Sequence, residues 1–192
     1  MRVIAGKLKG INIPFVNEKY DDANITTQKV KEALFSILSM ELTGRSFLDL
    51  YACSGQIGIE ALSRGASPVV FNEIDSKRYN FIKAQIERHN LHEHTSLFRY
   101  HSSQCLRYLH NKNFLFDYIF IDPPYIKKRG SDNIYHEIFD ELGKYPVLND
   151  DGRIIIQHYA DNTLKEDYGN FCLIDTRVYG KNSLSFYSRK SG

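Results

Sequence analysis

The chain has 192 residues, 42% of them hydrophobic, and a formal net charge of +2, which is apolar material for one sizeable core and too little charge to mark an acidic or strongly basic tail. No apolar run approaches the roughly 18 residues of a membrane span, and the opening MRVIAGKLKG lacks the apolar stretch of a signal peptide. A soluble, cytoplasmic protein is therefore expected; Cys53, Cys105 and Cys172, odd in number, widely separated and without CxxC spacing, suggest neither a disulfide framework nor a zinc site and read as reduced thiols, with no metal expected.

Residues 1–16 set Val3, Ile4, Leu8, Ile11 and Ile13 around Gly6 and Gly10, the pattern of a small β-hairpin with a basic turn. Residues 17–26 are polar and read as loop. Thr26 or Thr27 is placed to cap a helix whose apolar positions Val30, Ala33, Leu34, Ile37 and Leu38 share one face, ending near Gly44. From there strands and helices alternate, which predicts an α/β fold. The strands are expected at 46–50, 68–73, 95–100, 116–121 and 152–159, the helices at 56–63, 76–89, 104–110 and 134–142. A hairpin of 171–178 and 183–188 closes the chain. His89, His92 and His94 lie close together in HNLHEH, but no recognisable ligand set is completed and the stretch reads as a solvated helix end.

Two stretches carry chemistry. FDYIFIDPPY, Phe116 to Tyr125, is a buried strand halted by two prolines, which fit neither helix nor ladder. Asp122 therefore stands at the carboxyl end of a strand, the end at which open parallel sheets bind ligands. Pro123 and Pro124 leave carbonyls with no N–H beside them, and Tyr125 offers a flat face. Such a bay suits a planar group with an exocyclic amine: Asp122 and the Pro123 carbonyl accept its two N–H bonds while Tyr125 stacks on the ring.

The second stretch is FLDLYACSGQIG, Phe47 to Gly58. Cys53 stands at the first glycine position of a dinucleotide loop, with Gly55 and Gly58 in the other two, and no GK[ST] follows, so neither phosphate-binding pattern is met. Asp49 at the end of the first strand, and Glu73 and Asp75 past the end of the second, favour a cationic nucleoside over a pyrophosphate. A carboxylate after the second strand can accept both ribose hydroxyls of an adenosine.

Together these elements resemble the class I S-adenosylmethionine-dependent methyltransferases, and among them the DPPY set that methylates amine or amide nitrogens. RVIAGKLKG, KVKEALFSIL, FLDLYACSGQIGIEALSRGA, FIDPPY and YGKNSLSFYSRK extend the likeness over essentially the whole chain to the bacterial RsmD family, which methylates N2 of a guanine in 16S ribosomal RNA. The resemblance implies a Rossmann-like sheet of seven strands, mostly parallel with a C-terminal antiparallel hairpin. Residues 1–42 are expected to form an RNA-contacting extension and residues 43–192 the methyltransferase domain. It implies S-adenosylmethionine held by Asp49, Tyr51, Ala52, Cys53, Ser54, Gly55, Glu73, Ile74, Ser103 and Asp122, and catalysis by Asp122, Pro123, Pro124 and Tyr125. Arg2, Lys7, Lys9, Lys127, Lys128 and Arg129 are the candidates for contact with 16S rRNA, within a small-subunit particle and by a monomer.

The chain departs from the family pattern at Cys53, where Gly is usual, and at Asn24 to Thr27, where Arg-Pro-Thr-Thr is usual. Ser103 stands where related enzymes often have an acid for the adenine amine. The rival readings are an adenine-N6 nucleic-acid methyltransferase, which commonly carries a target-recognition domain, a protein-glutamine methyltransferase, which the N-terminal blocks do not fit, and an inactive RNA-binding assembly protein, against which Asp49, Glu73, Asp122 and Tyr125 all stand intact.

Overall fold

The computed structural model describes residues 1–16, 19, 26–38, 42–124 and 133–190. Five strands run parallel: β1 (Phe47–Asp49), β2 (Val69–Asn72), β3 (Thr95–Phe98), β4 (Phe116–Ile121) and β5 (Leu148–Tyr159). Three antiparallel strands follow, β6 (Asp167–Tyr168), β7 (Phe171–Tyr179) and β8 (Asn182–Arg189). The spatial order is β3-β2-β1-β4-β5-β8-β7-β6. The expected α/β sheet is thus present, with eight strands where seven were expected. The additional one is β6, two residues on the outer edge, too short to carry any periodicity. Strand β5 also begins at Leu148, ahead of the expected position 152, and its pairing with β4 shifts between Phe116 and Tyr118.

The chain leaves β1 for β2 and β3 on one side, and β4 and β5 lie on the other, so the sheet's switch point falls between β1 and β4. Side chains alternate across each strand. Phe47, Phe71, Tyr118, Phe120 and Ile155 face a core shared with helices α1 (Gln28–Leu38), α2 (Gln56–Ser63) and α3 (Ser76–Arg88). Leu48, Val70, Ile119, Ile121 and Ile156 face the other core, with α4 (Ser102–Asn111) and α5 (Asn133–Lys144). Helix α1 is capped as expected, with the Thr27 hydroxyl accepting the Val30 N–H at 3.4 Å.

The N-terminal turn is held by one antiparallel bridge, Arg2 to Asn12, and by the Val3 N–H donating to the Ile11 carbonyl at 2.9 Å. Val3 and Ile13 enter the same core as α1 and α2. Glu60 of α2 clasps this turn: its side chain is fully buried and accepts the Ile4 N–H at 2.8 Å, the Ala5 N–H at 3.1 Å and Arg64 Nε at 2.8 Å. Lys31 Nζ, equally buried, lies 3.6 Å from Glu60 and donates to the Arg2 carbonyl at 2.7 Å. Burial pulls the Lys31 ammonium below its usual pKa and Glu60 opposes that pull. Removing one member of such a group strands the others. Glu60→Ala is therefore expected to cost about 3–5 kcal/mol of folding stability, read as a lowered urea midpoint.

Candidate active site

Strands β1 and β4 pair in parallel with Asp49 opposite Phe120, so their carboxyl ends lie side by side. Asp49 shares strand parity with Phe47, and Asp122 shares it with Phe120, which turns both carboxylates toward α2. They meet in a small cleft lined by Asp49, Tyr51, Ala52, Cys53, Ser54 and Asp122 together with Thr26, Gln56, Ile57 and Phe120. Asp49 is 1% exposed and its Oδ2 accepts the Gly58 N–H at 3.1 Å. Gly58 is required there for closeness of approach, since a Cβ on it would lie 2.2 Å from Phe71 Cε1. Burial drives the Asp49 carboxyl up to about 8; the Gly58 N–H resists this, and the charges of Asp122 and Glu73 add to it.

The loop between β1 and α2 wraps this acid. Gly55 takes a left-handed conformation at φ 72° before the first residue of α2, and Cys53 does the same at φ 50° with a side chain in place of the hydrogen. The Cys53 N–H is fixed by Glu73 Oε2 at 2.8 Å, and Glu73 Oε1 accepts the Asp75 N–H at 2.8 Å. Burial pushes both the Glu73 carboxyl and the Cys53 thiol up, the thiol to about 12. Glu73 thus binds the loop together at the rim of the cleft. Asp75, paired with it in the sequence reading, caps α3 by accepting the Arg78 N–H at 2.9 Å. Ile74 is 58% exposed beside Glu73. Ser103 sits in the first turn of α4, with its hydroxyl 3.0 Å from His101 Nδ1, and does not line the cleft.

Asp122 Oδ2 accepts two hydrogen bonds, from Gln157 Nε2 at 3.0 Å and from the Thr26 hydroxyl at 3.3 Å. Gln56 Nε2 donates to the Thr26 carbonyl at 2.8 Å. Thr26 was expected only as a loop residue or helix cap, and Gln56 and Gln157 only as members of a helix and a strand. Gln157 follows Ile156, the partner of Ile121, and so falls beside Asp122 only once the register of β4 and β5 is set. No local pattern marks Thr26. Pro123 is buried and Pro124 exposed, while Tyr125, Lys127, Lys128 and Arg129 lie outside the described residues. Arg2, Lys7 and Lys9 are exposed on the N-terminal turn. Among the described residues no group of three or more His, Cys, Asp or Glu could hold a metal ion, and no helix is long and apolar enough to cross a membrane.

A family model described as conserved hypothetical protein 95 matches residues 1–188. The chain belongs to this family. The resemblance to the RsmD family is upheld with it. YlbH of Bacillus subtilis, whose rRNA methyltransferase name is itself provisional, is 30% identical over 99% of this chain and 100% of its own length. Ribosomal RNA small subunit methyltransferase D of Escherichia coli is 26% identical over 100% of this chain and 91% of its own. The solved structure of the E. coli protein yhhF, provisionally named a methyltransferase, superposes with a TM-score of 0.81 at 24% identity, covering 100% and 99% of the two chains. SMU.776, solved as a complex with SAH, has a TM-score of 0.66 at 15% identity over 85% of this chain and 50% of that one. These two solved structures share the overall fold of this chain.

Because the folded protein holds Asp49 far above an unfolded aspartate, this group stabilises the fold only at acid pH. The contribution is complete below about pH 4 and is lost as pH rises toward 8. Asp49→Asn is expected to raise the stability of the ligand-free protein at pH 8 by about 1 kcal/mol or more and to leave it nearly unchanged at pH 4. Urea midpoints of the two proteins at both pH values check this, and the difference between them isolates Asp49 from the other titrating groups.

Proposed function

We propose that the chain transfers a methyl group from S-adenosylmethionine to the exocyclic N2 of a guanine in the 16S rRNA of the small ribosomal subunit, as a monomer in the cytoplasm. One observation carries the reading: two acidic strand ends, Asp49 and Asp122, meet in one cleft at the switch point of the sheet. A buried acid flanked by two further acids is a poor host for a pyrophosphate and a good one for a ligand with an ammonium and a sulfonium. When bound, the donor supplies a methyl group on a positively charged sulfur. Asp49 and the loop from Tyr51 to Gly55 would hold its cationic end, Glu73 its ribose hydroxyls, and Ile74 the adenine, with Ser103 left out because it stands away from the cleft. The names of the full-length relatives, and the SAH complex among the structural neighbours, support both donor and substrate class.

The guanine amine is a poor nucleophile because its lone pair is delocalised into the ring. Asp122 and the Pro123 carbonyl would accept its two N–H bonds, draw the nitrogen toward tetrahedral and stabilise the positive charge that develops on it. Asp122 would act mainly as an electrostatic acceptor, with the proton leaving the nitrogen during or after methyl transfer. Tyr125 would stack on the base, which must be unpaired or flipped out to reach the bay. Arg2, Lys7 and Lys9, with Lys127, Lys128 and Arg129, would contact RNA phosphates, making residues 1–42 the RNA-contacting extension of a catalytic domain spanning 43–192. Guanine N2, as opposed to adenine N6, rests on the N-terminal blocks shared with the RsmD family.

The test is transfer of radiolabelled methyl to small-subunit particles from a strain lacking the activity, followed by nucleoside analysis. N2-methylguanosine is the expected product; N6-methyladenosine would overturn the assigned base, and absence of label the whole reading. Asp122→Ala should lower kcat by about 10²–10⁴-fold while donor affinity, measured by calorimetry, changes little.

A further inference from the structure

The proposed chemistry needs the Asp122 carboxylate in one rotamer and one plane, yet Asp122 lies beyond the last residue of β4, where the ladder no longer fixes it. Two donors from different parts of the chain converge on one of its oxygens. Gln157 reaches Oδ2 at 3.0 Å from the interior of β5 and is 2% exposed. Thr26 reaches the same oxygen at 3.3 Å from the segment ahead of α1 and is 5% exposed. Thr26 is itself tied down, because Gln56 at the start of α2 donates to its carbonyl at 2.8 Å.

We propose that Thr26 and Gln157 are positioning residues that together clamp Oδ2 of Asp122 and so aim the carboxylate at the amine to be methylated. The inference rests on the methyltransferase reading above and adds to it the residues that set the reacting geometry. A carboxylate held at one oxygen by a strand on one side and a loop on the other cannot rotate about its Cβ–Cγ bond without breaking one of these partly buried hydrogen bonds. The N-terminal segment thereby contributes directly to the reacting centre.

The experiment compares Thr26→Val, Thr26→Ser and Gln157→Leu with the unaltered protein in methyl transfer to small-subunit particles, with Asp122→Ala run alongside and donor affinity measured by calorimetry as the check on folding. Thr26→Val is expected to lower kcat about 5–10-fold and Gln157→Leu about 10–100-fold, with donor Kd within about two-fold of the unaltered protein. Thr26→Ser, which keeps the hydroxyl, should restore most of the rate. A loss confined to kcat and recovered by Thr26→Ser is a pattern that a purely structural defect would not produce. Thr26→Val with Gln157→Leu should lose less than the product of the single effects, because the two donors share one acceptor. Unchanged kcat in both single variants, with Asp122→Ala inactive, would overturn the clamp and leave the methyltransferase reading standing. Full turnover by Asp122→Ala would overturn both.

Discussion

The parallel pairing of β1 with β4, in the register that sets Asp49 opposite Phe120, is the constraint on which the rest of the site depends. Strand side chains alternate with a period of two, so a slip of one residue in either strand would carry its terminal acid to the face occupied by α4 and α5. The register is secured by a double apolar lock, with Phe47, Tyr118 and Phe120 on one face and Leu48, Ile119 and Ile121 on the other. Given that register, the loop after β1 has only a short distance in which to turn and start α2. Gly58 lets the helix lie against Phe71 closely enough for its N–H to reach Asp49. The glycine-bearing loop therefore serves helix-to-strand approach and the holding of a carboxylate, which explains why its spacing fails as a phosphate loop.

Two buried carboxylates show what distinguishes structure from readiness. Glu60 is surrounded by donors: two backbone N–H groups, the Arg64 guanidinium and the Lys31 ammonium, and it fastens the N-terminal turn to α1 and α2. Asp49 accepts one backbone N–H and faces two other acids, and burial raises its proton affinity accordingly. A fold only marginally stable overall tolerates such a group at a cost of a few kcal/mol. A ligand bringing positive charge to Asp49, as the proposed donor would, would offset that cost.

How much of this could be read in the sequence follows from the range over which each feature is determined. The five parallel strands and the Asp122 strand end were legible because period-two alternation and the Pro-Pro stop are local. Strand β6 was not, since two residues carry no period, and the early start of β5 at Leu148 was hidden by the polar run Asn149 to Asp151. Asp49, Cys53, Ser54 and Asp122 do come together in the cleft as the motif reading expected, whereas Ser103 lies apart at the start of α4. The Thr26 and Gln157 bonds to Asp122 span 96 and 35 residues of sequence, and no spacing rule reaches that far.

The same long-range bonds change the meaning of the first segment. A basic turn read from sequence alone is a surface feature, and Arg2, Lys7 and Lys9 do point outward. The turn that carries them is nevertheless bolted to α2 through Glu60 and Ser63, with the Lys7 N–H on the Ser63 carbonyl at 2.7 Å and the Leu8 N–H on the Ser63 hydroxyl at 2.9 Å. Helix α2 also begins beside the cleft with Gln56, which holds Thr26. One rigid helix thus anchors the cationic turn near its carboxyl end and the clamp on Asp122 at its amino end. The basic turn and the hydrogen bonds on Asp122 are thereby referred to one element, so that on the proposed function a substrate held at the turn and the carboxylate at the cleft would share one frame.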